Sequence, residues 1–164
     1  MEELLERLLA ECLPYTAQGR LADYIPELVK ADPSMLGVYV IGNDGKESWA
    51  GDCRQPFTIQ SVIKPILLLQ ALLDNGVEAV QRRVGVEATG KTFDAINASD
   101  QSLDSGHINP MVNMGAIVIC SLIHGGSYAE RFQRLLELTR LLAGDERIGI
   151  DEDVYPVSYT HLRA

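Results

Sequence analysis

The apolar run Ile66-Leu67-Leu68-Leu69-Gln70-Ala71-Leu72-Leu73 is the feature that most limits how this chain folds. Pro65 stands just before it, where proline is tolerated in a first helical turn and not later. Asn75-Gly76 follows it, a pair suited to stop a helix. The pattern predicts a helix over 59–74. Its leucines occupy too many sides for a surface helix, so the segment belongs at the centre of a core.

Ser61 and Lys64 lie at the start of that helix, three residues apart, and share one face if the turn is helical. A serine hydroxyl is too weak an acid to attack an amide at neutral pH without a neighbouring base, and a lysine that gives up its proton can serve as one. A helix start also offers backbone N–H groups and a favourable dipole for an oxyanion. Ser-x-x-Lys is nevertheless a common spacing. On spacing alone the plainer reading is favoured: a serine near a helix start followed by an exposed lysine.

The 164 residues are one domain's length, or part of a larger one. They are 46% hydrophobic, enough for a soluble core, and their net charge of −9 argues against nucleic acid or an anionic membrane as partner. No stretch reaches the length of a membrane span, and the charged N-terminus is unlike a signal peptide. Cys12, Cys53 and Cys120 are scattered, which suggests reduced thiols and a cytoplasmic protein. Cys120 and His124 are four apart, but two ligands do not make a metal site, so no metal is expected and Cys120 is read as a packed side chain.

Leucines at helical spacing predict a helix over 2–13, and a second is predicted over 19–30, limited or kinked by Pro26. Residues 35–41 and 46–50 read as strands joined by the turn Gly42-Asn43-Asp44-Gly45, a β-hairpin. A short helix is expected over 77–84, then a long polar loop over 85–106. In Asn109-Pro110-Met111-Val112-Asn113, Asn109 suits an N-cap and Pro110 the first helical position. Asn113 would then fall one turn into the helix, either as an ordinary asparagine or as a carboxamide aimed at a polar ligand. The last helix is predicted over 127–142. The fold class is α+β, but two strands are too few for an independent sheet, which hints that part of the fold is absent.

Taken together, several ordered segments resemble the bacterial-type, serine-dependent glutaminase family. They are Tyr24-Ile25-Pro26-Glu27-Leu28, Gly37-Val38 through Gly45, Gly51-Asp52, and Pro56-Phe57-Thr58-Ile59-Gln60-Ser61-Val62-Ile63-Lys64-Pro65. Val84-Gly85-Val86-Glu87, Gly90 with Phe93, and Asn109 through Ile117 follow in the same order. The resemblance covers about residues 15 to 156. It implies hydrolysis of L-glutamine to L-glutamate and ammonia, without cofactor or metal, by a protein that forms a homo-oligomer at full length. It implies a partial serine β-lactamase/transpeptidase-like fold with a helical subdomain, truncated before the remaining sheet strands. Ser61 would be the acylated nucleophile and Lys64 its base or proton relay. Tyr24 and Gln60 would line the substrate pocket, Asn113 would hold the amino-acid end, and the Ser61 N–H would be one oxyanion donor.

Met114 and Asp94 depart from the family's usual alanine and asparagine. The larger departure is at the end, where residues 157–164 resemble translated sequencing-adapter text. The expected division is therefore an incomplete glutaminase domain over 1–156 and a non-native tail over 157–164. The resemblance puts two further tyrosines, a glutamate and a Gly-rich Lys-Ser-Gly strand in the part of the family sequence beyond this point. A related Ser-x-x-Lys acyl enzyme of β-lactamase or peptidase type is the alternative activity. A non-enzymatic helical fragment that associates through apolar faces is the alternative without one.

Overall fold

The run at 66–73 forms the helix around which the second of two compact units is built. In the computed structural model, residues 1–88 and 108–155 are described. The chain divides into one unit of Met1–Thr58 with Ile150–Ala164, and another of Ile59–Gly149.

In the first unit, α1 (Glu2–Cys12) gives way to a 3-10 turn at Leu13–Gln18, and Pro26–Lys30 forms another. Strands β1 (Gly37–Ile41) and β2 (Glu47–Gly51) follow. They pair antiparallel, with Tyr39 opposite Trp49 and Val38 opposite Ala50. Gly45 closes the hairpin turn, donating its N–H to the Gly42 carbonyl at 2.9 Å with φ of 75°. Helix α1 packs on β2, and Leu5 and Ala50 are the buried apolar side chains of this unit among the described residues. Tyr39 and Trp49 stack with ring centroids 5.8 Å apart, and the Arg54 guanidinium lies 5.1 Å from the Trp49 ring centre.

In the second unit, a 3-10 turn at Gln60–Ile63 runs into α2 (Lys64–Asn75). Helices α3 (Val77–Gln81), α4 (Asn113–Ser121) and α5 (Tyr128–Ala143) each pack on α2 or follow from it, and all three contact it. Leu67 and Ala71 of α2 form one cluster with Val80, Val84, Ile119 and Ile123, backed by Leu72, Ala116 and Leu135. The expected central position of α2 is therefore seen, although Leu73 stays largely exposed. Ser127 caps α5 by accepting from the Glu130 N–H at 3.1 Å, and Gly144 ends it in the left-handed region with φ of 64°.

The far end of α2 is tied by polar groups. The Asp74 carboxylate is almost buried; it accepts from the His124 N–H at 2.8 Å and from Gln70 Nε2 at 3.0 Å, and pairs with the Arg134 guanidinium. Asn75 Nδ2 donates to the Leu122 carbonyl at 2.7 Å. These bonds satisfy groups that would otherwise be costly to bury.

Several expectations are corrected. The helix over 19–30 does not form. Ile25 precedes a proline and is extended, with φ of −123° and ψ of 117°, so only the short turn after it winds up. Helix α3 stops at Gln81. Helix α4 starts at Asn113, with extended Val112 before it, so neither Asn109 nor Pro110 begins a helix. Cys120 is exposed on α4 and not packed. Most of the polar loop expected over 85–106, and the 157–164 tail, lie outside the described residues.

Gly115 sits where α4 passes over the segment before it. A Cβ there would lie 2.0 Å from the Asn109 carbonyl oxygen and 2.9 Å from the Pro110 Cα, both backbone atoms that cannot swing aside. Gly115→Ala should therefore lower unfolding stability by about 1–3 kcal/mol, the usual range for overpacking, as read from the denaturant midpoint of the chain.

Candidate active site

Ser61 is exposed in the 3-10 turn Gln60–Ile63, and its carbonyl accepts from the Lys64 N–H where the turn becomes α2. The residue before it, Gln60, has φ of 43°, the sole positive φ of a non-glycine residue among those described. An L-residue held there costs about 1–2 kcal/mol, because its Cβ crowds the carbonyl oxygen. Such outliers concentrate at functional sites, where surrounding structure holds them in place.

Lys64 is buried where Ser61 is exposed. It is 8% exposed, and its Nζ donates to Asn113 Oδ1 at 2.7 Å and to the Met111 carbonyl at 3.1 Å. The turn of α2 thus carries an exposed hydroxyl and a buried amine three residues apart. The two acceptors come from the start of α4 and the segment before it. They meet the cost of taking an amine out of water, which is severe without partners.

Asn113 accepts from Lys64 through its carboxamide oxygen, since the carboxamide nitrogen can only donate. Its two N–H donors are consequently directed away from that amine. A carboxamide in this setting can donate to a carboxylate on a ligand. Expected one turn inside the helix, Asn113 instead opens it, which brings its side chain beside the first residue of α2.

The Met111 carbonyl escaped the sequence reading, and Asn109, expected as an N-cap, has another role. The Met111 carbonyl is a backbone atom and has no signature in residue type. Asn109 bridges two strands of chain: its Oδ1 accepts from the Met111 N–H at 2.8 Å and its Nδ2 donates to the Glu87 carbonyl at 3.1 Å. Asparagine's habit of bonding the backbone two residues on is the signal that could have found it.

Of the five residues singled out in the sequence, Gln60, Ser61, Lys64 and Asn113 fall in the second unit, with Lys64 and Asn113 in direct contact. Tyr24 belongs to the first unit, where it is 59% exposed two residues before the Pro26 turn. Among the described residues no three His, Cys, Asp or Glu side chains stand close enough to hold a metal ion. No helix among them is long and apolar enough to cross a membrane.

The family model described as Glutaminase matches residues 19–163. Glutaminase 2 of Clostridium perfringens is 47% identical over 155 residues, which is 94% of this chain and 51% of that protein. The chain thus spans about half the length of the curated relatives it matches. Among solved structures, Mglu in its glutamate form superposes with a TM-score of 0.89 at 34% identity, over 99% of this chain and 37% of the other. A probable glutaminase from Bacillus subtilis, complexed with 6-diazo-5-oxo-L-norleucine, gives 0.83 at 32%, over 98% and 47%.

Two outcomes test the geometry. Lys64→Met and Asn113→Leu should each lower stability, while the double variant should lose less than their sum. A coupling of about 1–3 kcal/mol from the denaturant midpoints is expected for a buried donor and its acceptor. Gln60→Gly should leave stability within about 1 kcal/mol of the parent, because relief of the left-handed strain is offset by the greater freedom of glycine in the unfolded chain.

Proposed function

Because this chain belongs to the glutaminase family, we propose that the complete protein hydrolyses L-glutamine to L-glutamate and ammonia through an ester on Ser61. The Ser61 oxygen bonds to the side-chain carbonyl carbon of glutamine as its proton passes toward Lys64. The tetrahedral intermediate then expels ammonia, which leaves with that proton, and the C–N bond breaks. Water attacks the resulting γ-glutamyl ester, releasing glutamate and restoring the hydroxyl. The Ser61 N–H, at a helix start, is suited to receive the developing oxyanion.

The buried Lys64 amine, three residues after an exposed serine and gripped by Asn113 and Met111, is the observation that carries this reading. A general base needs a fixed position more than it needs exposure, and this amine has one. In the same reading the Asn113 N–H groups hold the amino-acid end of the substrate, and Gln60 lines its pocket. The hairpin of β1 and β2 belongs to a larger sheet of serine β-lactamase-like type. Its other strands come from the part of the family sequence that this chain does not span. A two-stranded sheet with Ile41 64% exposed is consistent with further cover.

In the complete protein, Ser61→Ala should cut ammonia release from L-glutamine by a factor on the order of 10^4 to 10^6, the scale seen when a serine nucleophile is removed. A glutamine-mimicking diazoketone should leave a covalent adduct at residue 61 in the parent and none in the variant, as read by peptide mass. The 164-residue chain alone should release little ammonia. Adduct formation with a labelled penicillin, and none with the diazoketone, would move the assignment to a β-lactamase or peptidase chemistry.

A further inference from the structure

Asn109 is placed to act on Lys64 without touching it. Its carboxamide joins two stretches of chain that are 22 residues apart, accepting from the Met111 N–H at 2.8 Å and donating to the Glu87 carbonyl at 3.1 Å. Met111, held in this way by its N–H, turns the carbonyl of its next peptide unit to the Lys64 amine at 3.1 Å. Because 108–112 precede α4, no regular helix fixes that carbonyl. Three more contacts support the same segment. The Gly85 N–H donates to the Ile108 carbonyl at 2.9 Å, the Val112 N–H donates to the Asn109 carbonyl at 3.2 Å, and Gly115 lets α4 settle directly on the Asn109 backbone.

We propose that Asn109 is a positioning residue for the Lys64 amine, fixing through Met111 one of the acceptors that aim it. This extends the reading of Lys64 as proton relay and rests on it for the kinetic part only. Asn113 supplies another acceptor from a helix start, which would hold its place without Asn109. Loss of Asn109 therefore loosens the amine on the Met111 side and leaves the Asn113 bond in place.

The test uses three variants of one residue. Asn109→Ala removes both bonds. Asn109→Ser keeps a hydroxyl able to accept from the Met111 N–H but too short to reach Glu87. Asn109→Asp keeps the acceptor and loses the donor. In the 164-residue chain, competitive acetylation read lysine by lysine should show Lys64 modified about fivefold faster in Asn109→Ala, the scale of one lost hydrogen bond. Ser and Asp should fall between that and the parent, and Lys46 on the hairpin turn should be unchanged throughout. In the complete enzyme, kcat should fall about tenfold to a hundredfold in the alanine variant with KM within about twofold, as for a misplaced catalytic group.

A purely structural role would lower the unfolding midpoint but leave Lys64 reactivity in the folded protein at the parent level; that result would overturn the proposal. If Asn109→Ala does not fold, the serine and aspartate variants carry the same comparison. Unaltered Lys64 labelling in both would be equally fatal. The labelling needs no turnover, so it can fail or succeed apart from the assignment of Ser61 as nucleophile.

Discussion

The amine of Lys64, taken out of water and given two oxygen acceptors, is the interaction on which the rest of the second unit depends. A buried amine without partners would be costly, so the acceptors must arrive in fixed places. That requirement sets where α4 begins, because Asn113 must stand at its first turn. It also sets the path of the segment before α4, because the Met111 carbonyl must face inward. The apolar cluster of Leu67, Ala71 and Ile119 brings α2 and α4 together, but it does not say in which register they meet. The polar contact does, since hydrogen bonds tolerate far less displacement than apolar packing.

The same demand explains the contrast between Ser61 and Lys64. In an unbroken helix, residues three apart share a face and should share an environment. Here the hydroxyl is exposed and the amine is not. The left-handed backbone at Gln60 turns the chain just before the serine, and a tighter 3-10 turn carries it into α2. The strain there is modest beside the interactions that hold the turn, and it sits one residue from the proposed chemistry.

Much of this was readable in the residues. The hairpin followed from Gly42 to Gly45, because a glycine with positive φ is what such a turn requires. The apolar run announced the central helix, and Ser61 and Lys64 marked its start. Asn113 and Lys64 were each singled out, but the bond between them was not. Sequence placed α4 several residues too early, because an asparagine that caps a helix and one that closes a turn make the same kind of bond to nearby N–H groups. Only the path of the backbone separates them, and that path was decided by Gly115 and Lys64 at a distance. The helix foreseen over 19–30 failed for a local reason: Pro26 forced Ile25 extended, and periodic Leu21, Ile25 and Leu28 could not overcome it. Gln60 gave no warning, since glutamine has no special taste for positive φ.

Helix α2 is anchored by side chains at both extremities, Lys64 at one and Asp74 with Asn75 at the other. Its 12 residues make a rod about 18 Å long. Sliding it along its axis by even one residue would break both sets of bonds together, whereas leucine packing alone would permit some creep. The rod therefore behaves as a ruler, holding the serine turn at a set distance from the α4–α5 junction. Insertions or deletions between Lys64 and Asp74 should be far less tolerable than exchanges among its leucines.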